Sequence, residues 1–147
     1  DCRCTFDDDV VNELIAAAEQ ADGFVFGSPV YYAHPSGRIL SALDRAFYAG
    51  GKAFAHKPGA AVAVARRGGL TATYDELNKY FAISGMPIAS GQYWNGVHGR
   101  TCGEATQDEE GMQQMRTLAR NMAFLMKSIT SCGMGSGKGS PTWRAGS

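Results

Sequence analysis

The sequence predicts an α/β fold of three layers, with a parallel sheet between two layers of helices. Amphipathic segments alternate with short apolar runs in the order helix, strand, helix, strand, helix, strand, helix, which places successive strands parallel with right-handed crossovers. The apolar runs Phe24-Val25-Phe26 and Ala60-Ala61-Val62-Ala63-Val64-Ala65 lack the in–out alternation of a half-exposed sheet and suit strands covered on both faces. Loops rich in glycine or aromatic residues follow these runs, where the chain must turn or come close to a ligand.

The first helix is expected from about residue 8 to residue 20. Val10, Val11, Leu14, Ile15 and Ala18 recur at helical spacing, and Asp7 to Asp9 favour the positive end of its dipole. Ala21-Asp22-Gly23 breaks that pattern ahead of the Phe24–Phe26 strand, and residues 28 to 35 read as a loop. Ser36 is a candidate cap for a second helix with Ile39, Leu40, Leu43, Ala46 and Phe47 on one face, ending at Gly50-Gly51. Lys57-Pro58-Gly59 turns the chain into the Ala60–Ala65 strand, whose small residues let helices lie close. A loop over 66–71 leads to a third helix over about 73–83, with Leu77, Tyr80 and Phe81 as its buried stripe. Pro87-Ile88-Ala89-Ser90 opens a third strand reaching Tyr93, and residues 94 to 103 form a loop. The last helix spans about 108–129, acidic at its start and basic near its end at Lys127. These elements make one domain over residues 1–129, incomplete at its N-terminus, and a Gly/Ser-rich tail over 130–147 that is expected to be disordered or ordered only by a neighbour.

At 147 residues with 44% hydrophobic content, the chain suffices for one packed core. Fourteen basic and fourteen acidic side chains cancel, which argues against nucleic acid or an anionic membrane surface as partner. No run is long and apolar enough to span a bilayer, and a soluble cytoplasmic protein is expected. Four cysteines, Cys2, Cys4, Cys102 and Cys132, are too few and too unevenly spaced for a disulfide scaffold, so reduced thiols are expected. Cys2 and Cys4 supply only half of a tetrahedral metal site, and no metal is expected.

In an open parallel sheet, ligands bind beyond the carboxyl ends of the strands. Three loops qualify, over 28–35, 66–71 and 94–103. The first carries Pro29, Tyr31, Tyr32 and His34, flat rigid groups that can line an aromatic ring system or serve as ordinary packing and surface residues. Arg66 and Arg67 read either as an anion contact or as a solvated turn, and His34 and His98 as catalysts or as hydrogen-bonded loop residues.

Phe26-Gly27-Ser28-Pro29-Val30-Tyr31-Tyr32, then Ser36-Gly37 and Leu43-Asp44-Arg45, resembles the NADPH-dependent FMN reductase superfamily of the flavodoxin-like fold. The nearest branch looks like the NAD(P)H-dependent oxidoreductases and iron–sulfur flavoproteins. The resemblance continues through Arg67-Gly68-Gly69, Trp94-Asn95-Gly96-Val97-His98-Gly99 and Asp108-x-x-Gly111-Met112, covering about residues 8 to 129. It implies FMN as cofactor and NAD(P)H as co-substrate, with electrons passing through the flavin to a quinone, nitro, azo or other small acceptor. It implies that Pro29, Val30, Tyr31 and Tyr32 contact the isoalloxazine, that Ser36 helps at the end of the loop, and that Arg67, Gly68 and Gly69 line the other edge of the ring. Asn95 and His98 are implied to lie near the substrate, with Tyr32, His98 or water as proton donor and no obligatory catalytic acid or base.

The resemblance also implies a strand, a phosphate loop, a helix and a second strand ahead of the first helix, and the sequence from Asp1 contains none of these. The expectations are poor FMN affinity unless another subunit helps, an edge position for the Phe24–Phe26 strand, and self-association as a homo-oligomer. The alternative is a non-catalytic binding or assembly module that keeps the fold without tight FMN binding. A third reading, an electron-transfer protein with flavin and an iron–sulfur centre, rests on Cys2 and Cys4.

Overall fold

A computed structural model describes residues 3–132. Its elements in chain order are α1 (Val11–Gln20), β1 (Phe24–Tyr31), β2 (His34–Pro35), α2 (Gly37–Phe54), β3 (Gly59–Ala65), α3 (Leu70–Ile83), β4 (Gly96–His98), a short 3-10 turn (Glu104–Gln107) and α4 (Glu109–Ser131). The sheet order is β2-β1-β3-β4. β1, β3 and β4 run parallel, and β2 folds back antiparallel on the end of β1.

Alternate residues of β3 point to opposite faces, and two cores follow from that alternation. On one face Ala61 joins Phe24 and Phe26 beneath Ile15 of α1, Leu43 and Phe54 of α2, and Leu77 and Phe81 of α3. On the other, Ala60 and Val62 meet Leu118 and Met122 of α4. The expected three layers are therefore present. Stacking of Phe81 on Phe26 at 5.5 Å ties α3 to the sheet, and Phe47 against Tyr80 at 5.4 Å ties α2 to α3.

The boundaries differ from the sequence reading in several places. α1 starts at Val11 rather than residue 8, because the Asp9 carboxylate accepts the Val11 N–H at 3.0 Å and pairs with Arg45, holding Asp9 outside the helix. α2 does not stop at Gly50-Gly51. It kinks at Gly50 (φ −118°, ψ 20°) and runs one further turn, which buries Phe54. A Cβ at Gly50 would lie 2.7 Å from Ile15, so the bare backbone is what lets α1 close on α2. α3 begins three residues earlier than predicted, directly after Gly69 (φ +96°). Finally, the third parallel strand is Gly96–His98, inside the predicted loop, and the predicted 87–93 strand is reduced to a single bridge between Ile88 and Gly59.

β1 also continues past Phe26, so most of the predicted 28–35 loop is a hairpin, with Val30 opposite Pro35 and Tyr31 opposite His34. Pro29 is tolerated because it lies on the unpartnered side of a strand. Ahead of the hairpin, residues 24–29 of β1 pair only with β3 among the described residues, the expected edge position; the expected cover on both faces is not found, since burial alternates along β1 and Val25 is 57% exposed where α4 packs on β3 alone.

Ser36 caps α2 as predicted, accepting the Ile39 N–H at 3.4 Å, while its own N–H donates to Ser28 Oγ at 2.8 Å. Ser36→Ala is expected to lower stability by about 1 kcal/mol, read as a reduced urea midpoint with an unchanged slope. An unaltered midpoint would show that the cap is not used. α4 ends at Ser131, two residues beyond prediction, and residues 133–147 of the predicted tail, like Cys2, lie outside the described residues.

Candidate functional site

Two of the three predicted loops meet. The β1–β2 connection is a two-residue turn in which Tyr32 (φ 51°) and Ala33 (φ 63°) both adopt the left-handed conformation, the geometry of a tight hairpin turn that asparagine and glycine ordinarily supply. Against it lies the turn before α3. A Cβ built on Gly69 would fall 2.7 Å from Val30 Cγ1 and 2.9 Å from Ala33 Cα, whereas one on Gly68 would meet nothing within 4 Å. Gly69 is thus the contact between the loops, and Gly68 borders open space.

Side chains at this junction are presented rather than buried. Tyr32 is fully exposed and Tyr31 largely so. Pro29 and Arg67 are also exposed, and neither Arg66 nor Arg67 has an ion-pair partner among the described residues. His34 Nδ1 lies 3.0 Å from Glu76 Oε2, which ties the hairpin to α3. The N-terminus of α3 has no side-chain cap, which leaves first-turn N–H groups beside the Gly68-Gly69 turn. Ser36 lies one strand away, with its hydroxyl engaged in the cap of α2.

Asn95 is placed differently from the expectation of a substrate-side residue. It is fully buried, with Nδ2 donating to the Ala61 carbonyl at 3.1 Å and Oδ1 accepting the Gly91 N–H at 3.0 Å. Its own carbonyl accepts the Ala63 N–H at 3.0 Å. These bonds close the neck of an excursion, residues 90–95, that separates the Ile88 bridge from β4. Both atoms of the amide are engaged inside the fold, and the side chain has no exposed surface to offer a ligand. The excursion lies on α4, where Asn121 Nδ2 donates to the Ser90 carbonyl at 2.6 Å and Thr117 Oγ1 to Gln92 Oε1 at 2.9 Å. Tyr93 and Trp94 project from it, edge to face at 4.5 Å.

Beyond Gly69, a cleft of about 260 Å³ opens around the outer edge of β4. Leu70 and Thr71 of α3 form one wall, Tyr93 and Trp94 another, and Gln114 of α4 lies at its base. His98, Asp108 and Glu110 are at the rim. His98 is the one predicted site residue here. Its N–H donates to Asp108 Oδ2 at 2.7 Å, and its ring Nδ1 is 3.6 Å from the same oxygen. Gln114 is 5% exposed, and its Oε1 has no hydrogen-bond partner. The sequence held a clue to it, since Gln114 is the polar residue on the buried stripe Gly111, Gln114, Leu118, Met122 of α4.

The Asp108 carboxyl is held below its usual range, first by the Gly111 N–H and then by the His98 N–H. A carboxylate with a depressed folded pKa adds stability that is fully present above its unfolded value near pH 4, and that is lost as pH falls through the folded value. Asp108→Asn is therefore expected to lose less stability than the unaltered chain between about pH 5 and pH 3. Parallel denaturation curves across that range would count against this role.

Cys4 is buried beside α1, with its N–H donating to Asn12 Oδ1 at 2.9 Å, and Cys102 and Cys132 are free and exposed. Among the described residues no three His, Cys, Asp or Glu side chains are grouped as metal ligands, and no helix is long and apolar enough to cross a membrane.

Residues 1–100 match the NADPH-dependent FMN reductase family. An iron–sulfur flavoprotein of Methanocaldococcus jannaschii is 30% identical over 135 residues, 86% of this chain and 69% of that protein. Among solved structures, the Trp repressor binding protein from Bacillus subtilis superposes with a TM-score of 0.58 at 18% identity, over 78% of this chain and 69% of its own. A flavodoxin, WrbA-like protein from Agrobacterium tumefaciens gives 0.57 at 17% identity, over 74% and 71%. These two likenesses are of fold.

Proposed function

Because the chain belongs to the NADPH-dependent FMN reductase family, whose members are flavin oxidoreductases, we propose that it uses FMN to carry electrons from NAD(P)H to a small quinone, nitro or azo acceptor. The observation that carries this reading is the contact of the β1–β2 hairpin with the Gly68-Gly69 turn. It forms a ledge at the strand ends with exposed aromatic groups on one side and free backbone on the other.

The residues fit the ring of the cofactor. Pro29, Val30, Tyr31 and Tyr32 would flank the isoalloxazine, and the open space over Gly68 lets the ring approach the backbone. Uncapped N–H groups at the start of α3 would donate to its carbonyl edge, and Arg67 would place a positive charge beside it. When bound, FMN supplies the two-electron chemistry that no side chain here can perform. The protein would hold the ring and provide proton donors. Tyr32 Oη at the hairpin tip and the His98 ring, steadied by Asp108, are the candidates to deliver a proton to the acceptor. Ser36 acts indirectly, fixing the hairpin through Ser28. Self-association would cover the unpaired side of β1 and Val25.

The test is a titration of the 147-residue chain with FMN, followed by flavin fluorescence and thermal denaturation, and then NADH or NADPH oxidation with a quinone. Quenched flavin emission, a raised Tm and acceptor-dependent oxidation are expected. Absence of any FMN-dependent shift in Tm at millimolar FMN would remove the proposal.

A further inference from the structure

The hairpin that carries Tyr31 and Tyr32 has little to stand on. β2 is two residues long and pairs with the end of β1. At the tip, Tyr32 and Ala33 hold left-handed conformations, which cost free energy and persist only where neighbouring structure enforces them. Three attachments do so. At the base, the Ser36 N–H donates to Ser28 Oγ. Further up, Val30 and Ala33 lie close to Gly69. Nearest the tip, His34 Nδ1 lies 3.0 Å from Glu76 Oε2, and among the described residues this is the one side-chain hydrogen bond from residues 31–34 to another element. Glu76 stands on a fixed platform, since α3 buries Thr73, Leu77 and Phe81, and its Tyr80 Oη donates to Asp44 Oδ1 of α2. The carboxylate is also the more covered partner, 30% exposed against 66% for the imidazole. The hairpin therefore leans on α3.

We propose that Glu76 is a positioning residue of the ledge: through His34 it seats the hairpin, so that the Tyr31-Tyr32 tip stays beside the Gly68-Gly69 turn. An ionised carboxylate only accepts, so Nδ1 carries the proton and donates it to Oε2, and the charge of the acceptor strengthens the bond. On this assignment His34 is a hydrogen-bonded loop residue and not a catalyst. Unseating the hairpin releases the strain of two left-handed residues, which narrows the margin by which the seated form is favoured. A bond of this kind at a partly exposed place moves such an opening equilibrium by up to about tenfold. With a narrow margin, that decides how often the tip is in place. That the seated tip serves a flavin ring rests on the proposed function, whereas the hold of Glu76 on the hairpin does not.

Chymotrypsin, which cuts after aromatic residues where the backbone is accessible, reads the seating. Cleavage of the 147-residue chain after Tyr31 and Tyr32 is followed by mass spectrometry. It is referred to cleavage after Tyr93 and Trp94, in the excursion that Asn95 and Asn121 brace independently. A general loosening of the fold would speed all four cuts alike, so the ratio isolates the hairpin. Glu76→Ala is expected to raise the ratio about fivefold and the Kd for FMN about twofold, because cleavage follows the unseated fraction and binding the seated one. His34→Ala should match it, and the double variant should go no further, as one shared interaction requires. Glu76→Gln keeps an oxygen that accepts from Nδ1 and should recover most of both effects, a rescue that loss of charge alone would not allow. An unchanged ratio in Glu76→Ala, or a Glu76→Gln chain as open as Glu76→Ala, would overturn the proposal. So would a raised ratio with an unmoved Kd, since the bond would then hold the hairpin without serving the site. The expected cleavage pattern in a chain that binds no FMN removes the flavin reading alone, and FMN binding with cleavage indifferent to Glu76 removes this one alone.

Discussion

Gly69→Val should weaken FMN binding tenfold or more and destabilise the fold by roughly 2–5 kcal/mol. Two costs add. A side chain at φ +96° is held in a region that L-residues avoid, at about 1–2 kcal/mol. The new Cβ would also fall within 3 Å of Val30 and Ala33, and relieving such overpacking costs about 1–3 kcal/mol. Relief comes from pushing the hairpin off the α3 turn, which spreads the ledge that the ring would occupy. Gly68→Ala is the control, since its Cβ meets open space and its φ is ordinary, so the fold should change little. Chemical denaturation and flavin fluorescence titration of both variants measure the two effects. A Gly69→Val chain that binds FMN like the parent would show that the hairpin and the turn do not form one site.

For Asn95→Asp the expected loss at pH 7 is at least about 3 kcal/mol. The buried amide would become a carboxylate, and its oxygen would face the Ala61 carbonyl where Nδ2 now donates. Burial and that repulsion raise the carboxyl pKa in the folded state. The penalty is therefore greatest above the raised value and is relieved as pH falls through it, the reverse of the behaviour expected for Asp108. Urea denaturation between pH 5 and pH 8 reads the trend. Opening of the neck should also free Tyr93 and Trp94, seen as a red-shifted Trp94 emission in a Trp143→Phe background, where Trp94 is the one tryptophan. If instead Asn95→Asp kept parental stability and lost only turnover, Asn95 would be a substrate contact, as the sequence reading supposed.

The difference between that reading and the observed brace shows what the chain reveals on inspection. Elements with sustained periodicity or explicit caps are legible. α4 declares itself by its acidic start at Asp108 and by Lys127 near its end, α2 by Ser36, and β3 by a run of small and β-branched residues. What escapes is decided by contacts remote in sequence. Gly-Val-His is too short to show a period, and its pairing with β3 depends on Asn95 reaching the Ala61 carbonyl. Gly50 looks like a stop until Ile15 of α1 is seen against it. Pro29 looks like the end of a strand until its free side proves to be the unpaired one. In the site, residue types pointed to the hairpin and the Gly-Gly turn, whose closeness needed coordinates. The cleft at β4 also needed coordinates, because Gln114 stands out as the polar residue of α4's buried stripe only once the helix face is known.

The Tyr32-Ala33 turn carries a further implication for how such a protein can change over generations. Two left-handed residues with side chains store strain that glycine at either place would release. Heat tolerance and tyrosine at the tip therefore compete at one codon, that of Tyr32. A lineage pressed towards higher temperature would be drawn to Ala33 first, where glycine releases strain and leaves Tyr32 at the tip.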